Sequence, residues 1–350
     1  MTRSVWAWVR MLGGAGILAL LLWRLGTSAF LDGLRVIDGG TLLAAFMIGL
    51  TTTVFSAWRW CLVARGLGMR LSLRAAIADY YKALFLNAAL PGGVLGDVDR
   101  AVRHGKDEGD VGRGVRAVVL ERTAGQIVLV SVGLAVLLSV PSPVLTQLKA
   151  HAEIVAGIAV TVVVAGAVVL LACSRLRHGT SRWASAARTG IAEIREGLLA
   201  KRNWPGIVLA STIVLGGHLA TFVVAARAAG SAASLLRLAP LMLLALLAMT
   251  LPVNIGGWGP REGVTAWAFG AAGLSATQGL TIAVVYGLFA FVAALPGAVV
   301  LISRAVAKTR AARPPASAAT PASAVTPVAA ALPAPIVAPV PVRVLAHSGA

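Results

Sequence analysis

"LPGGVLGDVDR", residues 90–100, interrupts a chain that is otherwise largely apolar, and "LPVNIGGWGPR", residues 251–261, repeats its frame. In each, Leu-Pro opens the stretch, a Gly stands five residues after the Pro, and an Arg stands nine after it. Four Leu-Pro pairs occur in the 350 residues, and only these two carry both that Gly and that Arg. Proline removes a helical N–H donor and glycine frees the backbone, so both stretches read as helix breaks. The same break, written twice about 160 residues apart, asks to be explained as a pair.

The surroundings decide what kind of helix is broken. Apolar residues make up 58% of the chain and charged residues 13%, against about 25% charged in a soluble domain. A mean hydropathy of +0.85 and several uncharged runs predict an all-α, polytopic helical membrane protein. The formal charge of +18 would suggest nucleic acid in a soluble chain. Here the basic residues lie between apolar runs, so they read as topology signals and contacts to anionic lipid, with no nucleic-acid partner. Cys61 and Cys173 show no disulfide or metal-ligand spacing, and no cofactor or metal is expected.

Six full spans are expected: about 11–31, Thr41 to Trp58, Ala117 to Val140, Ile154 to Cys173, Pro205 to Ala226 and 280–302. The N-terminal stretch also fits a signal peptide, but the spans that follow favour an uncleaved first helix. Residues 72–100 and 238–275 are too short or too broken to read as clean spans, which gives eight apolar helices counting these two hairpins. Residues 182–199 read as an amphipathic helix lying on the membrane, with Trp183, Ala187, Ile191, Ile194 and Leu198 as its stripe. The expected organisation is a transmembrane domain over 1–310, with halves at about 41–173 and 205–303, and a disordered Ala/Pro-rich tail over 311–350.

Lys and Arg positions orient the spans. Residues 59–116, 174–203, 303–313 and the first ten hold 23 of them, whereas the alternate loops hold five. This bias predicts that both termini are cytoplasmic. Six spans agree with it if each hairpin enters and leaves by one face, the first from the cytoplasm and the second from outside, as in an inverted repeat. A version in which 238–255 and 263–275 both cross fully gives the same C-terminal side.

Irregular backbone at membrane depth is tolerated inside protein or beside a water-filled cavity. Pro91, Gly93 and Gly96 would shape the first hairpin and Pro252, Gly256 and Gly257 the second. Broken helices expose N–H groups that favour an anion, and Arg100 and Arg261 would add bidentate phosphate donors. A phospholipid headgroup fits that chemistry. Each Arg could instead pair with a neighbouring acid (Asp97 or Asp99, and Glu262). Glu121 and Arg122, one to two turns into the third span, could face a cavity or snorkel to the interface. Glu121 could neutralise Arg100 or Arg261, or take up a coupling proton. Asn87, Gln126 and Asn254 are candidate headgroup partners, and His218 reads as a packing histidine or a proton relay. No nucleophile elbow, Walker loop, zinc motif or dinucleotide fingerprint is present, so no enzyme is expected.

"LFLNAALPGGVLGDVDR", "VLERTAGQ" and "LPVNIGGWGPREG", in this order, resemble the lysylphosphatidylglycerol synthase transmembrane region family, the flippase-like membrane proteins, over roughly residues 10–305. Pro91, Gly96, Asp97, Arg100, Glu121, Arg122, Pro252, Gly257, Arg261 and Glu262 match its motif positions. The resemblance implies an integral protein of the cell (inner) membrane. The family's founding members join this region to a cytosolic aminoacyl-transferase domain. The longest soluble stretches here are about 30 residues at 174–204 and the tail, so the chain is not expected to charge a lipid itself. The expected function is translocation of an anionic phospholipid or polyprenyl-phosphate-linked headgroup. The alternative is a non-catalytic membrane partner for a separate transferase.

Overall fold

The computed structural model describes residues 23, 28–90, 93–140, 145–146, 150, 153, 164, 182–250 and 258–311. The fourth predicted span, most of the first, the tail from 312, Cys173, and Pro91, Pro252, Asn254, Gly256 and Gly257 lie outside the described residues. The chain divides into Met1–Ala305, which holds both repeated stretches, and Val306–Ala350, of which residues 306–311 are described, as helix.

Every regular element among the described residues is a helix: α1 Ser28–Arg35, α2 Gly39–Gly66, α3 Leu73–Ala89, α4 Leu95–Asp107, α5 Val111–Ser139, α6 Arg182–Gly197, α7 Trp204–Ala228, α8 Leu235–Ala248, α9 Pro260–Ala271, α10 Ala276–Ala294 and α11 Pro296–Ala311. Their starts are written in the sequence. Asp38 accepts the Thr41 N–H at 2.8 Å while Thr41 Oγ1 accepts the Asp38 N–H, a reciprocal cap that starts α2. Ser72, Asp110, Ser234 and Ser275 cap α3, α5, α8 and α10 from one side, each side chain accepting an amide of the first turn. Pro205 and Pro260 sit in the opening turns of α7 and α9, where their missing N–H costs nothing.

Among the described residues, four stretches are long and apolar enough to cross a membrane: Gly39–Gly66, Val111–Ser139, Trp204–Ala228 and Ala276–Ala307. In the most apolar window of α5 only 17% of residues are buried. The outward side chains, Ile127, Val130, Leu134 and Leu138, are exposed hydrophobics, as a lipid-facing surface requires. Several expected boundaries move, the second span running on past Trp58 to Gly66. The third span begins at Val111 rather than Ala117, because Asp110 caps it, so Glu121 lies in its third turn. The last span is two helices, since Pro296 cannot continue α10 and opens α11.

The two interrupted segments are pairs of short helices. α3 ends at Ala89, and its Leu90 cap closes on Leu86 O just before Pro91, where the break was expected. α4 follows after Gly93, whose φ of 60° needs glycine. In the second segment α8 and α9 flank residues 251–257. At about 1.5 Å per residue, α8 and α9 extend only about 21 and 18 Å, short of a hydrocarbon core of about 30 Å. The main apolar core lies among α7, α8, α9 and α10, around Phe222, Leu241, Met242, Phe269, Ile282 and Phe289. A second buried cluster, Trp60, Tyr80, Ala101 and Val118, joins α2, α3, α4 and α5.

Candidate functional site

Glu121 is fully buried, and its position in α5 turns it toward α2, α3 and α4. Arg59 of α2 donates to its Oε1 from Nε at 2.9 Å and Nη2 at 2.5 Å. Arg100 of α4 donates to Oε2 at 2.7 Å, and the Tyr80 hydroxyl donates to Oε1 at 3.2 Å. Ser211 of α7 accepts the remaining Arg59 nitrogen, Nη1, at 3.1 Å. One carboxylate therefore ties two arginines and a tyrosine from three helices. Uncompensated, each of these charges would cost several kcal/mol in such an interior.

Asp97 is the second anchor. It accepts Arg100 Nε at 2.9 Å and receives Arg122 Nη2 at 2.8 Å on both oxygens. The adjacent Glu121 and Arg122 do not pair with each other: on one helix turn they point apart and take different partners. Asn87 of α3 donates to Asp97 Oδ2 at 3.2 Å and accepts the Gly96 N–H at 2.7 Å, which clips α3 to the start of α4. Gly96 was expected to relax a turn. It lies inside α4 instead, and its role is contact: a Cβ there would fall 2.1 Å from Ala83 O of α3. Lys82 and Asp99 bridge the same two helices at 2.7 Å, so Asp99 is not the partner of Arg100.

Arg261 sits in the opening turn of α9, paired with Glu262, whose Oε1 accepts Arg261 Nε at 2.9 Å. Glu262 Oε2 accepts the N–H of Gly259 at 2.7 Å and so caps α9. Gly259 has a φ of 118°, a conformation open to glycine. The Arg261 guanidinium lies 5.2 Å from the Trp258 ring and 5.1 Å from the Tyr286 ring. Arg100 is held alike, 4.7 Å from Trp60 and 4.4 Å from Tyr80. Each repeated stretch thus sets its arginine against one tryptophan and one tyrosine, beside one carboxylate of its own helix.

A cavity of about 150 Å³ lies between α2, α3, α5, α7 and α10, with Arg59, Tyr80, Arg122, His218 and Tyr286 on its walls. His218 Nδ1 and the Tyr286 hydroxyl are 2.9 Å apart across it. The Arg122 side chain is 41% exposed, and its buried Nε has no partner among the described residues. Around Glu121 and Asp97, three guanidiniums meet two carboxylates. That leaves one positive charge beside the cavity.

The structure gathers Arg100, Glu121, Arg122 and Asp97 into one network and places Arg261 with Glu262 in another. Glu121 neutralises Arg100, not Arg261. Glu121 does not snorkel: its side chain is wholly inside. Three participants are absent from the sequence-derived site, namely Arg59, Ser211 and the Tyr80 hydroxyl. Arg59 was hidden by position, since it lies between Trp58 and Trp60 at the expected interface end of a span. The helix in fact runs on to Gly66. No group of three or more metal-ligating side chains occurs among the described residues.

The family model of the lysylphosphatidylglycerol synthase TM region matches residues 7–297 of the 350. No curated protein matches the chain. No solved structure matches it either.

Proposed function

The chain belongs to the lysylphosphatidylglycerol synthase TM region family, and on that premise we propose that it binds the anionic part of a membrane lipid and carries it between leaflets. The observation that carries this reading is the unbalanced charge at the cavity. Three arginines share two carboxylates, and two of the three, Arg59 and Arg122, reach the cavity wall. A low-dielectric site with a surplus cation is stabilised by an anion, and guanidiniums suit phosphate. The substrate class is an anionic phospholipid or a polyprenyl-phosphate-linked headgroup, and the chain moves it without covalent chemistry.

In this reading α3–α4 and α8–α9 are re-entrant hairpins of an inverted repeat, entering from opposite faces of the cell membrane, with both termini cytoplasmic. The shortness of α8 and α9 supports re-entry. The matching Trp–Tyr settings of Arg100 and Arg261 support the repeat. The bias of 23 basic residues against five supports the orientation.

The test is reconstitution of the purified chain in vesicles carrying a headgroup-labelled phosphatidylglycerol or polyprenyl-phosphate sugar, with dithionite access as readout. Wild type is expected to move label between leaflets. Arg59→Gln and Arg122→Gln, which remove the two cations on the cavity wall, are expected to abolish movement while still eluting as folded protein. Wild-type rates in both variants would refute the site. A co-purifying transferase, with no lipid movement by the pure chain, would replace translocation by a scaffold role.

A further inference from the structure

A second, larger cavity of about 600 Å³ opens at the arginine-rich end of the first hairpin, between the end of α2, the start of α3 and the end of α4. Its volume falls in the range of small-molecule sites, about 300–1,000 Å³. It shares no lining residue with the cavity between Arg59 and Tyr286.

Its two walls carry opposite charge. On one are Arg65, Arg70 and Ser72, with the opening turn of α3 behind them at Ala75. The first amides of a helix lack partners within it, and the helix dipole makes that end positive. Neither Arg65 nor Arg70 has an ion-pair partner among the described residues, and both are exposed. On the other wall are Asp107, the last residue of α4, and Glu108, its C-cap, where the helix dipole is negative. Neither of these carboxylates is ion-paired among the described residues. The third lining acid, Asp79, is already engaged by Arg103 and Arg304. His104 completes the lining. It is buried, its ring meets Trp60 edge-on at 5.5 Å, and its Nε2 has no partner among the described residues.

A bare anion here would face Asp107 and Glu108, and a bare amine would face Arg65 and Arg70. A ligand with both charges satisfies both walls. The positive wall offers two guanidiniums, a hydroxyl and the positive end of the α3 dipole; the guanidiniums alone carry more donors than the roughly four lone-pair sites of a carboxylate can use. We propose that this cavity binds a small zwitterion of the phosphoethanolamine class, its phosphate against Arg65, Arg70 and the start of α3 and its ammonium against Asp107 and Glu108. The ligand is either the headgroup of a zwitterionic phospholipid or the soluble phosphoamine. This site is separate from the proposed translocation cavity and stands whether or not the chain moves lipid.

Calorimetry on the full chain in detergent, with O-phosphoethanolamine, inorganic phosphate and ethanolamine as separate probes, tests it. O-Phosphoethanolamine is expected to bind at least tenfold tighter than either half. Arg65→Gln and Arg70→Gln, at exposed positions, are each expected to weaken it about tenfold. The double substitution Asp107→Asn with Glu108→Gln is expected to abolish the preference over phosphate while phosphate itself still binds. In nanodiscs, retention of phosphatidylethanolamine over phosphatidylglycerol without binding of the soluble probe identifies the lipid headgroup; binding of the soluble probe alone identifies the free phosphoamine. Failure of both to bind overturns the proposal. So does phosphate binding as tightly as phosphoethanolamine, or unchanged binding in folded Arg65→Gln and Arg70→Gln.

Discussion

Tyr80 and Tyr286 line one cavity, and each bears on its ring the guanidinium of one repeated stretch: Arg100 lies 4.4 Å from the first and Arg261 5.1 Å from the second. The two motif arginines therefore approach the same space at one remove, each behind a tyrosine and each held by its own carboxylates. Cation–π contacts of this kind contribute about 0.5–2 kcal/mol, the larger values when desolvated. They also fix the plane of the guanidinium, which sets where its free edge points. The arginines that face the cavity directly are Arg59 and Arg122.

Removing the shared carboxylate should be the most damaging single change. Glu121→Gln leaves Arg59 and Arg100 buried with only Asp97 nearby, and breaking a buried pair costs about 3–5 kcal/mol. Thermal unfolding of the detergent-solubilised protein should show the loss. The substitution Glu121→Asp keeps the charge on a shorter side chain and should recover part of it. An unchanged midpoint in Glu121→Gln would mean that the network does not stabilise the fold.

Gly287→Ala tests the placement of Arg261. A Cβ at position 287 would lie 2.5 Å from Arg261 Nη2 and 3.0 Å from the Trp258 ring. The arginine must shift, at a cost of about 1–3 kcal/mol for overpacking, and lipid movement should fall with it. Gly216→Ala in α7, where nothing lies within 4 Å, is the matched control and should transport normally.

Gly96→Ala should separate α3 from α4. The added methyl meets Ala83 O at 2.1 Å and Ala83 Cα at 2.5 Å, and backbone cannot swing aside as a side chain can. Expression and monodispersity on gel filtration should collapse. Gly190→Ala in α6 meets nothing, and should raise stability by up to about 1 kcal/mol through helix propensity.

The start of α5 should be pH-sensitive. The backbone N–H of Arg113 holds the Asp110 carboxyl below the ordinary carboxylate range. A depressed folded value means that the cap's contribution is complete above the unfolded carboxylate pKa, near 4. It is lost as pH falls through the lower folded value. The protection of the first-turn amides of α5 against hydrogen exchange, taken relative to their intrinsic rates, should therefore fall below about pH 4. In Asp110→Asn, which still caps but does not titrate, that acid step should vanish.

Much of the architecture was legible because lipid enforces simple rules. Apolar runs marked α2, α5, α7 and α10, and Leu90-Pro91 marked where α3 stops. What escaped the sequence was which side chains meet. Arg59 looks like an interface anchor when read along α2, and only the packing of α5 against α2 gives it Glu121. Gly96 looks like a turn former because glycine serves turns and close contacts alike, and one-dimensional spacing does not separate the two. The partner of Arg100 was open between Asp97 and Asp99. The helix resolves it, since position 97 lies one turn back on the same face and position 99 faces Lys82.

Asp79 has a consequence for timing. It holds Arg103, 24 residues on, and Arg304, 225 residues on. At about 5–20 residues per second of synthesis, the second partner emerges on the order of ten to forty seconds after the first. The first hairpin thus waits, while about 200 further residues are made, with one of its two basic partners missing, and it gains that ionic contact when α11 is made.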